Sequence, residues 1–271
     1  MGYETIDVKP LTPVLGGEVS GVDLTKPLSE HQVADLKQAL ADYLVIFFRD
    51  QPIDFEHHKT LARHFGGIHI APSTAPWRVP GHPEVTIIHA DKDSTFVAGE
   101  DWHSDMSCDP EPPMGSILYL HTVPEPGGDT VFSSMYAAYD ALSDRMKAHL
   151  EGLTAVHDAV VGFGGITPEG MKLPRSSHPV IRTHPVTGKK TIYVNRGFTV
   201  RIEGVSKAES DALLDYLFDH VQRPEFQCRF HWRSHSIAFW DNRSLQHSAI
   251  WDYFPHTRSG YRVQISGERP V

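Results

Sequence analysis

After residue 115, short apolar runs far outnumber helical patterns, and this most restricts what the chain can fold into. Strand-length runs fall at 117–122, 129–133, 178–182, 191–195, 226–232, 236–240 and 261–266, against three helical segments at 135–142, 143–152 and about 206–222. No strand–helix–strand alternation appears. A parallel sheet needs such crossovers, so the runs must pair antiparallel. The expectation is a mainly β fold, a double-sheet barrel with flanking helices.

The first half fits the same plan. Residues 4–24 alternate loosely around Gly16, Gly17 and Gly21, as in a hairpin. Ser29 and Gln32 form a capping box for a helix whose buried stripe is Val33, Leu36 and Leu40. Leu44-Val45-Ile46-Phe47-Phe48 is apolar at every position, which predicts a strand buried on both faces. A second helix is expected at 54–64 and a strand at 84–89. Ser206 and Glu209 cap a helix burying Leu213, Leu214, Leu217 and Val221. Residues 161–177, rich in glycine and aperiodic, read equally as a disordered surface loop or a mobile lid. No repeat or linker divides the chain, so residues 1–271 are expected to form one domain.

Composition excludes several functions. A net charge of -9 with no basic run argues against a nucleic-acid partner. No apolar run approaches the ~20 residues of a membrane span, and no leader pattern opens the chain. Two cysteines, Cys108 and Cys228, are too few for a disulfide framework, and a cytoplasmic protein is expected.

Within this frame, Trp102-His103-Ser104-Asp105 places an imidazole and a carboxylate two positions apart, on one face of an extended segment. A distant histidine would complete two histidines and one carboxylate around a metal, leaving coordination positions open. His247 follows a tight turn after a buried strand, which puts it near a barrel mouth. Arg258 lies eleven residues on, and Arg262 follows in an otherwise apolar strand. A buried arginine is costly unless it meets an anion, whether a ligand or a structural carboxylate.

The blocks Trp-His-Ser-Asp at 102–105, Gly-Gly-Asp-Thr at 127–130, Trp-Asp-Asn-Arg at 240–243, Gln-His at 246–247 and Arg258 resemble the taurine dioxygenase/TfdA family. Gly-Val-Asp-Leu at 21–24 and Thr-His-Pro-Val-Thr-Gly at 183–188 extend the resemblance nearly end to end. It implies a double-stranded β-helix (jelly-roll) core and an Fe(II)- and 2-oxoglutarate-dependent dioxygenase using O2. His103, Asp105 and His247 would be the iron ligands, and Arg258 with Thr130 would hold the distal carboxylate of 2-oxoglutarate. Relatives are often dimers or tetramers, so a homo-oligomer is expected.

For the substrate, the resemblance gives Arg262 a sulfonate-binding role and places Phe163 and Phe198 in the pocket wall. Ala71, Gly99 and Thr74 stand where the taurine enzyme has histidine, asparagine and tyrosine. His69, two residues before Ala71, would share its face on a strand and could compensate. A small anionic organic substrate is expected, with taurine itself disfavoured. The open choices are an alkylsulfonate losing sulfite to give an aldehyde, an alkyl sulfate or an aryloxyalkanoate. A zinc hydrolase with the same three ligands would give Arg258 and Thr130 no task, and a non-catalytic barrel would not need the ligands.

Overall fold

The computed structural model describes residues 2–97, 99–167 and 170–271. Its frame is a nine-stranded sheet in the order Asp7–Pro10, Gly17–Ser20, Val45–Phe48, Ser236–Asp241, Gly115–Thr122, Arg258–Ile265, His82–Ala90 and Arg78–Val79, with Ile68–His69 also pairing to Arg258–Ile265. A smaller sheet of Gln227–Phe230, Thr130–Ser134 and Leu245–Ala249 faces it. Among the described residues, only the Gly17–Ser20 and Val45–Phe48 pair is parallel. Two facing antiparallel sheets make the jelly-roll core that the strand-rich second half implied.

Strand alternation decides what lies between the sheets. Ile46, Phe48, Ile117, Tyr119, Ile237, Phe239, Val263 and Ile265 face one way and meet Leu36, Leu40 and Leu61. Those leucines come from helices Glu30–Tyr43 and Phe55–Arg63. Phe47, Leu118, Leu120, Ala238 and Trp240 face the other way, against Phe132, Phe230 and Leu245 of the small sheet. Phe47 stacks on Phe230 with centroids 3.9 Å apart. The unbroken apolar run at 44–48 follows from this, because both faces are covered. By the same two-residue period, Ser116, Thr130, His247, Arg258 and Arg262 fall on inner faces, and the polar groups of the barrel gather at one place.

The expected caps are present. Ser29 with Gln32 and Ser206 with Glu209 both form complete capping boxes. Helix Lys207–His220 buries Leu214 and Leu217 against Ile192 and Val194. The sequence reading missed the strands Thr154–Asp158, Thr199–Ile202 and Leu245–Ala249, and the two-residue strands Ile68–His69 and Arg78–Val79. Residues 161–177 are not uniformly loop, since helix Val160–Phe163 enters the segment and strand Arg175–Pro179 leaves it. Residues 168 and 169 of that segment lie outside the described residues.

Two buried histidines tie layers together as neutral rings. His58 Nε2–H donates to the Ile117 carbonyl at 3.0 Å, and burial pulls its pKa down to about 4. His157 lies against Ser107 Oγ at 3.0 Å, and burial takes its pKa to about 3. In the unfolded chain both titrate near 6.5, so as pH falls below that value the unfolded state takes up protons that the folded state refuses. Their contribution is complete above pH ~6.5 and is lost progressively toward pH 4 and 3. The unfolding free energy at pH 5 is expected to lie about 2 kcal/mol per group below its value at pH 7.5. Urea titrations at the two pH values check this, and His58→Gln should remove its share of the difference.

Candidate metal and cosubstrate site

The site begins with a backbone contact. His103 and His247 form an isolated antiparallel bridge, exchanging hydrogen bonds of 3.0 Å (His103 N to His247 O) and 2.9 Å (His247 N to His103 O). Directly opposed residues send their side chains to one side. The two imidazoles therefore stand together, with centroids 4.2 Å apart, although 144 positions separate them in the chain (247 − 103). Asp105, two residues past His103, joins them. One donor atom from each of the three lies within 4.8 Å of the others, and all three side chains are buried.

Each donor is prepared for a metal. His103 Nδ1–H donates to the Asp101 carbonyl at 2.7 Å, which fixes the tautomer and leaves Nε2 with its lone pair. His247 packs between Phe132 and Trp240, with centroids at 5.9 and 4.6 Å. Burial, with His103 beside it, pushes its pKa well below the usual imidazole value, so the ring is neutral. Burial would raise the Asp105 pKa, but the Arg262 charge and the His103 contact outweigh it, holding the carboxyl well below its ordinary range. Two imidazoles and one carboxylate fit a divalent ion such as Fe(II), with positions left over.

The carboxylate is aimed by residues that sequence reasoning missed. Trp240 Nε1–H donates to Asn242 Oδ1 at 2.9 Å, which orients the amide. Asn242 Nδ2 then donates to Ser116 Oγ at 3.1 Å, and the Ser116 hydroxyl donates to Asp105 Oδ2 at 2.5 Å. Indole and carboxylate have one role each, as donor and acceptor, so the chain of bonds runs in one direction. It holds Oδ2 and turns Oδ1 toward His103 Nε2, 3.4 Å away. Asn242 lay within a motif block, but nothing in the sequence pointed to Ser116.

The two arginines differ in their partners. Arg262 Nη1 meets Asp105 Oδ1 at 2.8 Å, so for this residue the structure supplies a carboxylate. Its Nε is buried with no partner among the described residues. Arg258 is 4% exposed and receives only neutral acceptors: Gly128 O at 2.9 Å from Nε and Thr130 Oγ1 at 3.2 Å from Nη2. No carboxylate lies within ion-pair distance of it among the described residues, and burial lowers its pKa to about 10. Thr130 Oγ1 also accepts from Trp232 Nε1 at 3.0 Å, which leaves its own proton free to donate. A buried cation lacking an anion, beside a hydroxyl donor, fits the carboxylate of a dicarboxylate chelator.

Of the remaining candidates, Phe163, Phe198 and Gly99 line a cavity that also contains His103, Asp105 and Arg262. Gly99 has φ +84, and a Cβ there would sit 2.9 Å from His103 Cε1, so the missing side chain makes room for the His103 ring. Gly197, not singled out from sequence, is as close, because its Cβ would meet His103 Cβ at 2.7 Å. Ala71 is buried against Met106, Cys108 and Phe198. His69 is not brought to the site. Its Nε2 pairs with Asp109 Oδ2 at 2.9 Å in a separate cavity, because the Ile68–His69 strand is only two residues long and the chain turns at Ala71.

Ser116→Ala is expected to weaken Mn(II) binding about 10- to 100-fold, the usual effect of removing a group that orients a metal ligand, while the fold survives. Gly99→Ala should weaken it too, by displacing His103. Electron paramagnetic resonance titration with Mn(II) measures both.

The likenesses to known proteins agree with this geometry. The profile of the "Taurine catabolism dioxygenase TauD, TfdA family" matches residues 7–264. A putative alpha-ketoglutarate-dependent sulfonate dioxygenase of Schizosaccharomyces pombe is 35% identical over 274 residues, covering 97% of this chain and 70% of the relative. An alpha-ketoglutarate-dependent sulfate ester dioxygenase of Pseudomonas putida is 31% identical over 286 residues, covering 98% and 91%. The crystal structure of a putative alpha-ketoglutarate-dependent taurine dioxygenase from Burkholderia xenovorans superposes with a TM-score of 0.87 at 37% identity, covering 98% of this chain and 94% of that one. With its strand order, its His-Asp-His set and the match across residues 7–264, the chain belongs to the TauD/TfdA family of dioxygenases.

Proposed function

We propose that this protein is an Fe(II)- and 2-oxoglutarate-dependent dioxygenase that hydroxylates a small organosulfur anion, a sulfonate or sulfate ester, at the carbon next to its head group. The observation that carries the reading is Arg258, a buried cation with no carboxylate partner among the described residues, placed beside the His103, Asp105 and His247 donors. A hydrolytic zinc site would leave that charge without a purpose. The names of the S. pombe and P. putida relatives support the substrate class.

The protein's own groups divide the work. His103, Asp105 and His247 hold the metal. Arg258 and the Thr130 hydroxyl grip the distal carboxylate of 2-oxoglutarate, fixing which end faces the metal. When bound, Fe(II) and 2-oxoglutarate would activate O2, which is the oxidant: 2-oxoglutarate gives two electrons and leaves as succinate and carbon dioxide, one atom of O2 enters succinate, and the other becomes the substrate hydroxyl. Arg262 holds the anionic head close to Asp105, while Phe163 and Phe198 cover it and exclude water. Hydroxylation of a carbon bearing sulfonate releases sulfite and leaves an aldehyde, and a sulfate ester releases sulfate in the same way.

Steady-state kinetics separate the arginines. Arg258→Ala should raise the KM for 2-oxoglutarate tenfold or more, the scale of losing ~1–3 kcal/mol at a desolvated charge. Arg262→Ala should raise the KM for the organosulfur substrate more than that for 2-oxoglutarate. Equal losses of 2-oxoglutarate in both variants would contradict the division. Succinate formation should require Fe(II), O2 and the organosulfur anion together.

A further inference from the structure

Two cavities meet at Arg262. One contains His103, Asp105, Met106 and Phe198. The other lies beside it, between the Pro72–Trp77 turn and the His82–Ala90 strand, and Phe96, Val97, Phe163, Ile166 and Arg262 line both, so the two cavities adjoin. The second chamber is apolar, walled by Trp77, Ile87, Ile88, Phe96, Val97 and Ile166. No aspartate or glutamate lines it among the described residues, while Arg258 and Arg262 both border it. Phe96 and Ile87 stand 44% and 37% exposed, leaving apolar surface in water that an apolar ligand would cover.

We propose that this chamber receives the uncharged, unbranched alkyl tail of the substrate, so that the enzyme acts on long-chain alkyl oxyanions of sulfur rather than on short aminosulfonates. The proposal rests on the dioxygenase reading above. Arg262 contacts Asp105 at 2.8 Å, so the carbon attached to a head group held there lies beside the metal ligands, and the rest of the chain has the apolar chamber to enter. An ammonium group placed in the chamber would meet no carboxylate there and would border two arginines, whereas the carboxylates Glu100, Asp101 and Asp105 line only the adjoining cavity. Every methylene moved from water into the chamber tightens binding about fourfold, or about 0.8 kcal/mol, until the chamber is full.

The test is anaerobic binding of n-alkyl sulfonates and n-alkyl sulfates, C2 to C10, to the full chain loaded with Fe(II) and 2-oxoglutarate, with taurine alongside. The proposal expects Kd to fall by at least 100-fold from C2 to C8, and taurine to bind no better than the C2 compounds. The two series show whether the head is sulfonate or sulfate. Ile87→Asp and Phe96→Asp, both at partly exposed positions, should flatten the dependence to less than about twofold per methylene, with thermal unfolding as the control for folding. A Kd independent of chain length, no binding in either series, or a preference for taurine would overturn the proposal. Chain-length-dependent binding with no succinate formed from any compound would instead count against the dioxygenase reading and leave the tail chamber standing. Turnover of short compounds with no gain from length would do the reverse.

Discussion

The site depends on the two hydrogen bonds that pair the backbones of His103 and His247. They fix the register of the His103 segment on the Leu245–Ala249 strand, and register determines which side chains share a face. A slip of one residue would turn His247 outward and bring Gln246 or Ser248 in, and the metal-binding set would be lost. The bridge also places Asp105 within reach of Ser116, because the Ser236–Asp241 strand carrying Trp240 and the Gly115–Thr122 strand carrying Ser116 are adjacent in the large sheet. The arrangement of the three donor side chains is thus set by strand pairing and by one directed chain of hydrogen bonds.

Charge distribution follows from the same alternation. Two arginines four residues apart on one strand must share a face, and that face lies between the sheets. Burying both would be costly if neither met an anion. Arg262 is offset by Asp105, and Arg258 is left with neutral acceptors alone. This asymmetry gives the two cations separate tasks. One is paired with a carboxylate of the His-Asp-His set, and the other has no carboxylate partner among the described residues.

Much of the fold was legible because its signals are local. Capping boxes at Ser29 and Ser206 and the all-apolar run at 44–48 need only near neighbours, and the structure has both helices and the strand. The strands that escaped are those whose pattern is polar or short. Leu245–Ala249 alternates with Gln246 and Ser248, and Thr199–Ile202 exposes Val200 and Arg201. At the site, His103, Asp105, His247, Arg258 and Thr130 were visible in motif blocks, Arg262, Phe163, Phe198 and Gly99 were placed by the family resemblance, and the structure brings all nine together. His69 was placed by assuming that a strand continued through Ala71, whereas the chain turns there. Ser116, Gly197 and the apolar chamber could not be read, because each exists only through tertiary contact between segments distant in the chain.

The most direct test of the account is anaerobic addition of Fe(II) and 2-oxoglutarate to the purified protein, followed by visible absorption. If the three buried donors hold Fe(II) while Arg258 and Thr130 orient the cosubstrate onto it, a metal-to-ligand charge-transfer band appears only when both are present. Its 2-oxoglutarate dependence should weaken at least tenfold in Arg258→Ala, the scale of one lost charge-assisted hydrogen bond. Absence of the band in the wild-type protein, or a band with unchanged 2-oxoglutarate dependence in that variant, would contradict the account.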